Sequence, residues 1–503
     1  MRLSELTKDL PWASFDRDVE VSRAIVDSRQ ARAGDLFVAV RGQSSDGAKY
    51  VPQVVAAGAA AVAAEDRIDT GGVPLVRVPD ARRFAALAAH RLAGDPTASM
   101  TVVGITGTNG KTTITYLLEA VFRAWGRKVG VIGTVNYRYN GTVKPARFTT
   151  PEAPDLVAML LEMKQAGVDT VAMEISSHAL QLRRAVGCVL DAGVFTNLSR
   201  DHLDFHGALD AYLAAKIRLF DEILPVSART KPDVFAAINL DDPAGSQVLA
   251  ATPVRAIPFG LGEELHWLDV QSDFDGLRGT LAYGAEAVDI VCPLLGDFQQ
   301  MNVLAAAAAC YGLKVPAEVV RAGLANCHRV PGRLDPVGKQ NFLVLVDYAH
   351  TPDALSSVLS TLRRLARGRV IAVFGCGGDR DQGKRPMMGR AVAERADLAL
   401  VTNDNPRSED PLKIIEMILP GLSETGLPRI APAQLPGNET PAYAVEPDRA
   451  RAIELAVQAA RPGDIVLLAG KGHEDYQIIG GERLHFDDRE VAAQVLARRF
   501  GET

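Results

Sequence analysis

Short apolar runs alternate with longer alanine- and leucine-rich stretches along most of the chain. TVVGIT (101–106), TVAMEIS (170–176) and AGVFTNL (192–198) read as buried strands. So do FLVLVD (342–347), RVIAVFG (369–375), ADLALVT (396–402) and DIVLLAG (464–470). Helical patterns such as ITYLLEAVFRAW separate them, which is the signature of α/β architecture. Polar and glycine-rich residues follow each run almost at once. Parallel α/β sheets bind ligands at the carboxyl ends of their strands, so two facing crevices are expected. Turn-rich breaks at GDPTAS (94–99) and HRVPGRLDPVG (328–338) divide the chain into 1–97, 98–332 and 333–503. The pattern predicts an α/β protein of three domains, with a central P-loop-type parallel-sheet domain and a C-terminal Rossmann-like domain.

Composition narrows the class. The chain has 503 residues, 47% of them hydrophobic and 23% charged, as in ordinary globular proteins. A net charge of −6 offers no footprint for nucleic acid or an anionic membrane. The start, MRLSELTKDLPW, lacks the apolar segment of a signal peptide, and AAGAAAVAA (56–64) is too short to span a bilayer. Five scattered cysteines without C-x-x-C spacing argue against disulfides or zinc. A cytoplasmic enzyme with reduced thiols, and a monomer, is expected.

The stretch GITGTNGKTT (104–113) sits between an apolar run and a helical pattern. Such a loop offers backbone N–H groups and a helix N-terminus to an anion. Gly107, Thr108, Asn109, Gly110, Lys111, Thr112 and Thr113 are therefore candidates to cradle phosphate groups. Lys111 would reach the outer phosphates and Thr112 would ligate Mg2+. The strict signature G-x-x-x-x-G-K-[ST] is not met, because Ile105 occupies the place of its first glycine.

Glu174 ends the next apolar run, and His202, His206 and Lys216 follow the one after. Taken alone, His202 reads as a structural or solvent-facing residue, Asp201 and Asp204 as turn or cap residues, and Lys216 as part of a solvated helix face. In order, however, GTNGKTT, EISSHAL and NLSRDHLDFHG with AYLAAK resemble the central domain of the muramyl (Mur) ligases, ATP-dependent amide-forming enzymes. The resemblance implies that Glu174 and His202 help hold Mg2+ and that Lys216 carries a CO2-derived carbamate. A neutral lysine amine that captures CO2 becomes an anionic oxygen donor, and a desolvated lysine favours that step. The resemblance thus makes Lys111, Lys216 and His202 the catalytic residues, and Thr112, Glu174, His202 and Lys216 the metal set.

The resemblance runs nearly the whole length. DSRQARAGDLFVAVRGQSSDG (27–47) is similar to a uridine-nucleotide-binding domain, which implies that Ser28, Gln43, Ser44 and Ser45 contact a UDP-sugar peptide. FTTPEAP contributes Thr149 and Thr150 to the same substrate, with Ser176 and Arg184; Leu182 stands where the family often has glutamine. GDFQQMN, PGRLD and DYAHTPDAL imply nucleotide contacts by Asn302, Arg333 and Asp347. DNPRSEDP (404–411) resembles the segment that marks addition of meso-diaminopimelate, implying Asp404, Asn405, Pro406 and Arg407 as its site, with Arg380, Gly470 and Glu474. Guanidinium forks onto a carboxylate, which diaminopimelate has at its far carbon and lysine lacks.

The function so implied is ligation of meso-diaminopimelate to UDP-MurNAc-L-Ala-D-Glu through an acyl phosphate, with His350 available to assist amine deprotonation. The alternatives are the lysine-adding and D-Ala-D-Ala-adding ligases. A further alternative is a nucleotide-hydrolysing switch, which would leave the first domain and DNPR unexplained.

Overall fold

The computed structural model describes residues 1–42, 45–338 and 340–501. Gln43 and Ser44 lie outside the described residues. Three main sheets follow one another along the chain, and a two-stranded hairpin (Tyr476–Ile479 with Glu482–His485) stands apart from them.

The first sheet has five strands in the order Ser14–Phe15, Leu75–Arg77, Ala61–Ala64, Asp35–Val38, Arg23–Ile25. All pairings are parallel except that of the outermost Ser14–Phe15.

The middle sheet has eleven strands around a parallel centre. Across that centre run Arg255–Phe259, Phe235–Asn239, Ala192–Phe195, Thr101–Thr106, Thr170–Glu174 and Val129–Ile132. The central strands Thr101–Thr106, Thr170–Glu174 and Ala192–Phe195 are buried on both faces, which is why they read as continuous apolar runs. Val103 and Ile105 pack into one layer with Ile114, Leu117 and Val303, while Val102 packs into the other with Leu156, Leu160 and Phe220. The helix Gln299–Gly312 carries alanines at 305–309, all fully buried; small side chains let its backbone lie close against the sheet. Antiparallel strands extend both edges, Leu265–Asp273, Gly276–Tyr283 and Glu286–Cys292 on one side and Asn136–Tyr139 with Thr142–Pro145 on the other.

From Thr101–Thr106 the chain passes to Val129–Ile132 on one side; from Ala192–Phe195 it passes to Phe235–Asn239 on the other. These two adjacent strands form a topological switch point, where the loops leaving their carboxyl ends diverge and open a crevice.

The last sheet orders Asp335–Pro336, Leu343–Asp347, Ile465–Ala469, Val370–Phe374, Leu398–Val401 and Ala442–Val445, parallel except at its first strand. It too is double-faced: Leu345, Ala372 and Phe374 join one layer and Val344, Ile371 and Val373 the other. Its strand-end loops begin at Asp347, Gly375, Thr402 and Gly470, and several touch the middle sheet's crevice. No helix among the described residues is long and apolar enough to cross a membrane.

Candidate active site

The loop after Thr101–Thr106 owes its course to two glycines. Gly107 (φ +147°) and Gly110 (φ +90°) lie in backbone regions that suit glycine. A Cβ at Gly107 would overlap Thr196 Oγ1, and one at Gly110 would overlap Asn302 Oδ1. The neighbouring strand end clamps the loop. Thr108 N donates to Asn197 O (2.9 Å), Asn109 N to Asn197 Oδ1 (2.9 Å), and Thr196 Oγ1 to Asn109 O (2.7 Å). The helix Lys111–Ala124 then begins, with Thr112 and Thr113 buried in its first turn. Lys111 folds back, Nζ donating to Gly107 O (2.7 Å) and Thr108 O (2.9 Å). Burial pulls its pKa down, partly opposed by the Glu174 and Asp201 charges.

Below the loop, a cavity of about 130 Å³ is lined by Lys111, Thr112, Glu174, Asp201, His202 and Lys216, together with Arg333 and His350 from the last part of the chain. The proposed metal set thus lines one cavity. Glu174 is fully buried and held by Thr134, whose N donates to Oε1 (2.8 Å) and whose Oγ1 donates to Oε2 (2.9 Å). His202 adopts a left-handed backbone (φ +54°), and its ring sits 3.2 Å from Asp201 Oδ2. Burial lowers its pKa to about 3, so it is a neutral imidazole with a lone pair to offer a ligand. Burial pushes Asp201 up, but His202 and His350 in the protonated form they take at low pH, together with Lys384 and the His202 N–H, outweigh it, and Asp201 ends below the usual carboxylate range.

Lys216 departs from the solvated-face reading. It is 1% exposed, its Nζ lies 4.2 Å from the Tyr212 ring centroid, and burial holds its pKa well below the ordinary lysine value, with Lys111 adding to the effect. No hydrogen bond from its Nζ is found among the described residues. Its helix, Leu209–Arg218, packs inward because Tyr212, Leu213 and Ala215 are buried beside it.

Does this donor set suit Mg2+? Among the described residues no group of three or more His, Cys, Asp and Glu is arranged to hold a metal by itself. The proposed set instead offers one hydroxyl (Thr112), one carboxylate (Glu174) and one imidazole (His202). Such a partial set fits a cation that keeps waters and phosphate oxygens, and a carbamate on Lys216 would complete it with a second anionic oxygen group.

A second cavity of about 370 Å³ adjoins the loop and is lined by Asn109, Gly110, Thr113, Asn302, Arg333 and Asp347 among others, with apolar Phe298 and Met301. All the residues proposed for the nucleotide beyond the loop itself line it. Asp347 is buried, both oxygens accepting backbone N–H groups, from Leu334 (2.8 Å) and Ala349 (2.7 Å). Arg333 bridges the two cavities, its Nη2 3.4 Å from Thr112 Oγ1 and its guanidinium over the Tyr348 ring. Further ties join the last sheet to the middle one: Arg200 Nε donates to Asp381 Oδ2 (3.0 Å), and His350 Nε2 lies 3.8 Å from Asp201.

A third cavity, about 470 Å³, lies between the first sheet and the middle one. Ser28, Arg29, Ser45, Arg82, Arg147 and Phe148 contribute to its lining. Of the proposed muropeptide residues, Thr149 and Ser176 line the 130 Å³ cavity. Thr150 is different: it is fully buried, donates to Glu174 O (2.8 Å) and accepts from Ser176 N (3.1 Å). It braces the strand end rather than presenting its hydroxyl. Arg184 is tied to Glu152 Oε1 (2.6 Å) and Thr150 O (3.0 Å).

The segment 404–407 gathers with 470–474 at the end of the last sheet. Asn405 Nδ2 donates to Glu474 Oε2 (2.7 Å), and Gly470, at φ +114°, brings the backbone close to the Asp404 carboxylate. Arg407 is left-handed (φ +53°), with Nη1 donating to Gly378 O (2.7 Å). Pro406 is buried, and Arg380, exposed, lies on the facing loop. Burial and the neighbouring Asp404 raise the pKa of Glu474.

Sequence reasoning missed several residues here. Thr134 follows the apolar run VGVI, so the rule that polar residues follow buried strands would have found it. Lys471 lies inside GKGHE; it is fully buried, 3.5 Å from Glu474 and 3.9 Å from Asp404. The wholly buried pair Arg449–Asp488 carried no local signal. Arg449 meets Asp488 at 2.6 Å and donates to Asn403 O (3.3 Å) and Ala469 O (3.0 Å), the residues just before the two loops.

Comparison with known proteins gives a consistent picture. Residues 105–310 match the Mur ligase middle domain, 332–472 the Mur ligase glutamate ligase domain, and 21–91 the Mur ligase family catalytic domain. A protein of Geobacter metallireducens named UDP-N-acetylmuramoyl-L-alanyl-D-glutamate--2,6-diaminopimelate ligase is 45% identical over 501 residues, covering 98% of each chain. A Geobacter sulfurreducens protein of the same name is 44% identical, again over 98% of each. A solved structure of that name is similar with a TM-score of 0.65 at 31% identity, over 95% of each chain. A MurF ligase from Thermotoga maritima in complex with ADP shares the fold, with a TM-score of 0.63 at 20% identity over 95% of this chain and 99% of that one.

Proposed function

The chain belongs to the Mur ligase family, and from that premise we propose that it is an ADP-forming ligase joining meso-diaminopimelate to UDP-MurNAc-L-Ala-D-Glu in peptidoglycan-precursor synthesis. The observation that carries the reading is the 130 Å³ cavity, where Lys111, Thr112, Glu174, His202 and Lys216 meet beside a nucleotide-sized space and share Arg333 with it. We assign residues 1–97 to the uridine end of the muropeptide, 98–332 to ATP and 333–503 to the amino acid, in a cytoplasmic monomer.

A carboxylate is a poor acyl donor because oxide is a poor leaving group. In the proposed reaction the D-Glu carboxylate attacks the γ-phosphorus of ATP, ADP leaves, and an acyl phosphate forms. Lys111 and the N–H groups at the helix start, 110–113, stabilise charge on the phosphoryl oxygens. Thr112, Glu174, His202 and a carbamate on Lys216 would hold Mg2+, which when bound supplies further charge neutralisation there. The carbamate forms when the neutral Lys216 amine adds to CO2 and releases a proton. The diaminopimelate amine next attacks the acyl carbon, and phosphate leaves from the tetrahedral intermediate. His350, held neutral by burial and donating Nδ1–H to Tyr348 O (2.7 Å), is assigned to receive the amine's proton. Contacts such as Arg333–Thr112 and Arg200–Asp381 cover the crevice and limit water, which would hydrolyse the acyl phosphate.

Arg407 would pair with the distal carboxylate of diaminopimelate, and Glu474 with its distal ammonium. The test is ADP release measured with UDP-MurNAc-L-Ala-D-Glu and each of diaminopimelate, lysine and D-Ala-D-Ala, omitting one component at a time. The reading expects release only with both muropeptide and diaminopimelate. ADP release without an amino acid would instead favour the nucleotide-switch alternative.

A further inference from the structure

The loop that bears Arg407 does not hold itself. It is stitched to a segment some seventy residues further on, at the start of the separate hairpin. Gln477 is 8% exposed, and its Nε2 donates to Asp404 O at 2.8 Å. Ile478 N donates to Asn405 Oδ1 at 3.0 Å. Arg407 N donates to Ile478 O at 2.9 Å and Gly480 N donates to Arg407 O at 2.8 Å, forming a parallel bridge between Arg407 and Ile479. Arg407 is thus clamped through both of its backbone polar groups.

Two features make the clamp necessary. Arg407 has φ +53°, a conformation that a long L side chain adopts only when its surroundings impose it. In addition, a lone two-stranded hairpin is marginal in water, so hairpin and loop order one another. Among the side chains of the hairpin, Gln477 reaches the loop backbone from a buried position, where an amide without its partner is unfavourable.

We propose that Gln477 is a positioning residue for amino-acid selection: by holding Asp404 O it sets the hairpin's register on the 404–407 loop and so the aim of the Arg407 guanidinium. The proposal rests on the diaminopimelate reading above. Gln477 itself touches none of the reacting atoms.

The experiment measures kcat and KM for diaminopimelate, lysine and ATP in the full-length enzyme, with thermal unfolding alongside. Gln477→Leu keeps the bulk and removes the donor. It is expected to raise KM for diaminopimelate about ten-fold and to lower the diaminopimelate-to-lysine ratio of kcat/KM by a similar factor, with KM for ATP within about two-fold of wild type. In an Arg407→Ala background the same change should leave that ratio where Arg407→Ala put it, because the two act as one unit. Should Gln477→Leu fail to fold, Gln477→Asn, whose amide stops one methylene short of Asp404 O, carries the same cycle. An unchanged ratio in the single variant, or an equal drop in both backgrounds, overturns the proposal. A lowered melting temperature with both KM values unchanged overturns it too. A wild-type enzyme without preference for diaminopimelate overturns the parent reading and this one with it; a wild-type preference that survives Gln477→Leu overturns this one alone.

Discussion

The loop 107–113 and the loop 404–407 both leave a buried parallel strand, yet they are held differently. The first is braced by the adjacent strand end at 196–197 and by glycines whose missing side chains make room for Thr196 and Asn302. Its lysine folds back onto its own loop. The second is braced from Arg449, Lys471, Gln477, Ile478 and Gly378, and its left-handed arginine is bonded to the hairpin through both backbone polar groups. A phosphate site can be made from one strand–loop–helix unit because the anion is bound by backbone N–H groups that any sequence supplies. A site for one particular amino acid needs side chains at fixed heights, and these come from several elements.

If that contrast is right, damage at the phosphate end should abolish the reaction and damage at the amino-acid end should change what reacts. Lys111→Ala is expected to reduce ADP release about a thousand-fold at saturating substrates while leaving the melting temperature near wild type. Breaking the buried pair with Arg449→Ala should cost about 3–5 kcal/mol of unfolding free energy, because the Asp488 charge is left without a partner; urea denaturation measures it. Arg407→Ala should lower selectivity for diaminopimelate over lysine about a hundred-fold in kcat/KM without moving KM for ATP. A large rise in ATP KM for that variant would mean that the two ends are not separable.

The smallest expected effect on stability concerns Lys216. Lys216→Met should lose activity and gain stability by about 1–3 kcal/mol near neutral pH in CO2-depleted buffer. The sign follows from linkage. The folded pKa lies below the unfolded value, so the folded state binds fewer protons and the burial penalty is full below the folded pKa. The penalty shrinks as pH rises toward the ordinary lysine range, where both states are neutral, and the advantage of the methionine should shrink with it. A stability difference independent of pH would point to packing instead of charge burial.

Much of the fold was legible locally. TVVGIT is the strand Thr101–Thr106, and the helical pattern after GTNGK is the helix Lys111–Ala124. A strand buried on both faces must be apolar throughout, so it announces itself. The antiparallel strands at the edges of the middle sheet, such as Leu265–Asp273, are half-exposed and less apolar and gave no such signal. The resemblance of FTTPEAP assigns Thr150 to the substrate; folding turns its hydroxyl inward to Glu174 O and Ser176 N.

By itself, then, the order of residues determined the layered α/β plan and the place of the glycine loop at 107–110, since strand, glycine turn and helix start are governed by neighbours a few positions away. The tertiary structure decided the rest. Lys216 reads as solvated on its own helix and becomes a desolvated amine in the cavity it shares with the loop at 107–112, Glu174 and Arg333. The backbone of Arg407 is held by Ile478 and Gly480, and the strand ends before the loops at 404–407 and 470–474 are tied by a charge pair between Arg449 and Asp488. Desolvation and side-chain height are properties of what packs against a residue, and those partners lie far along the chain.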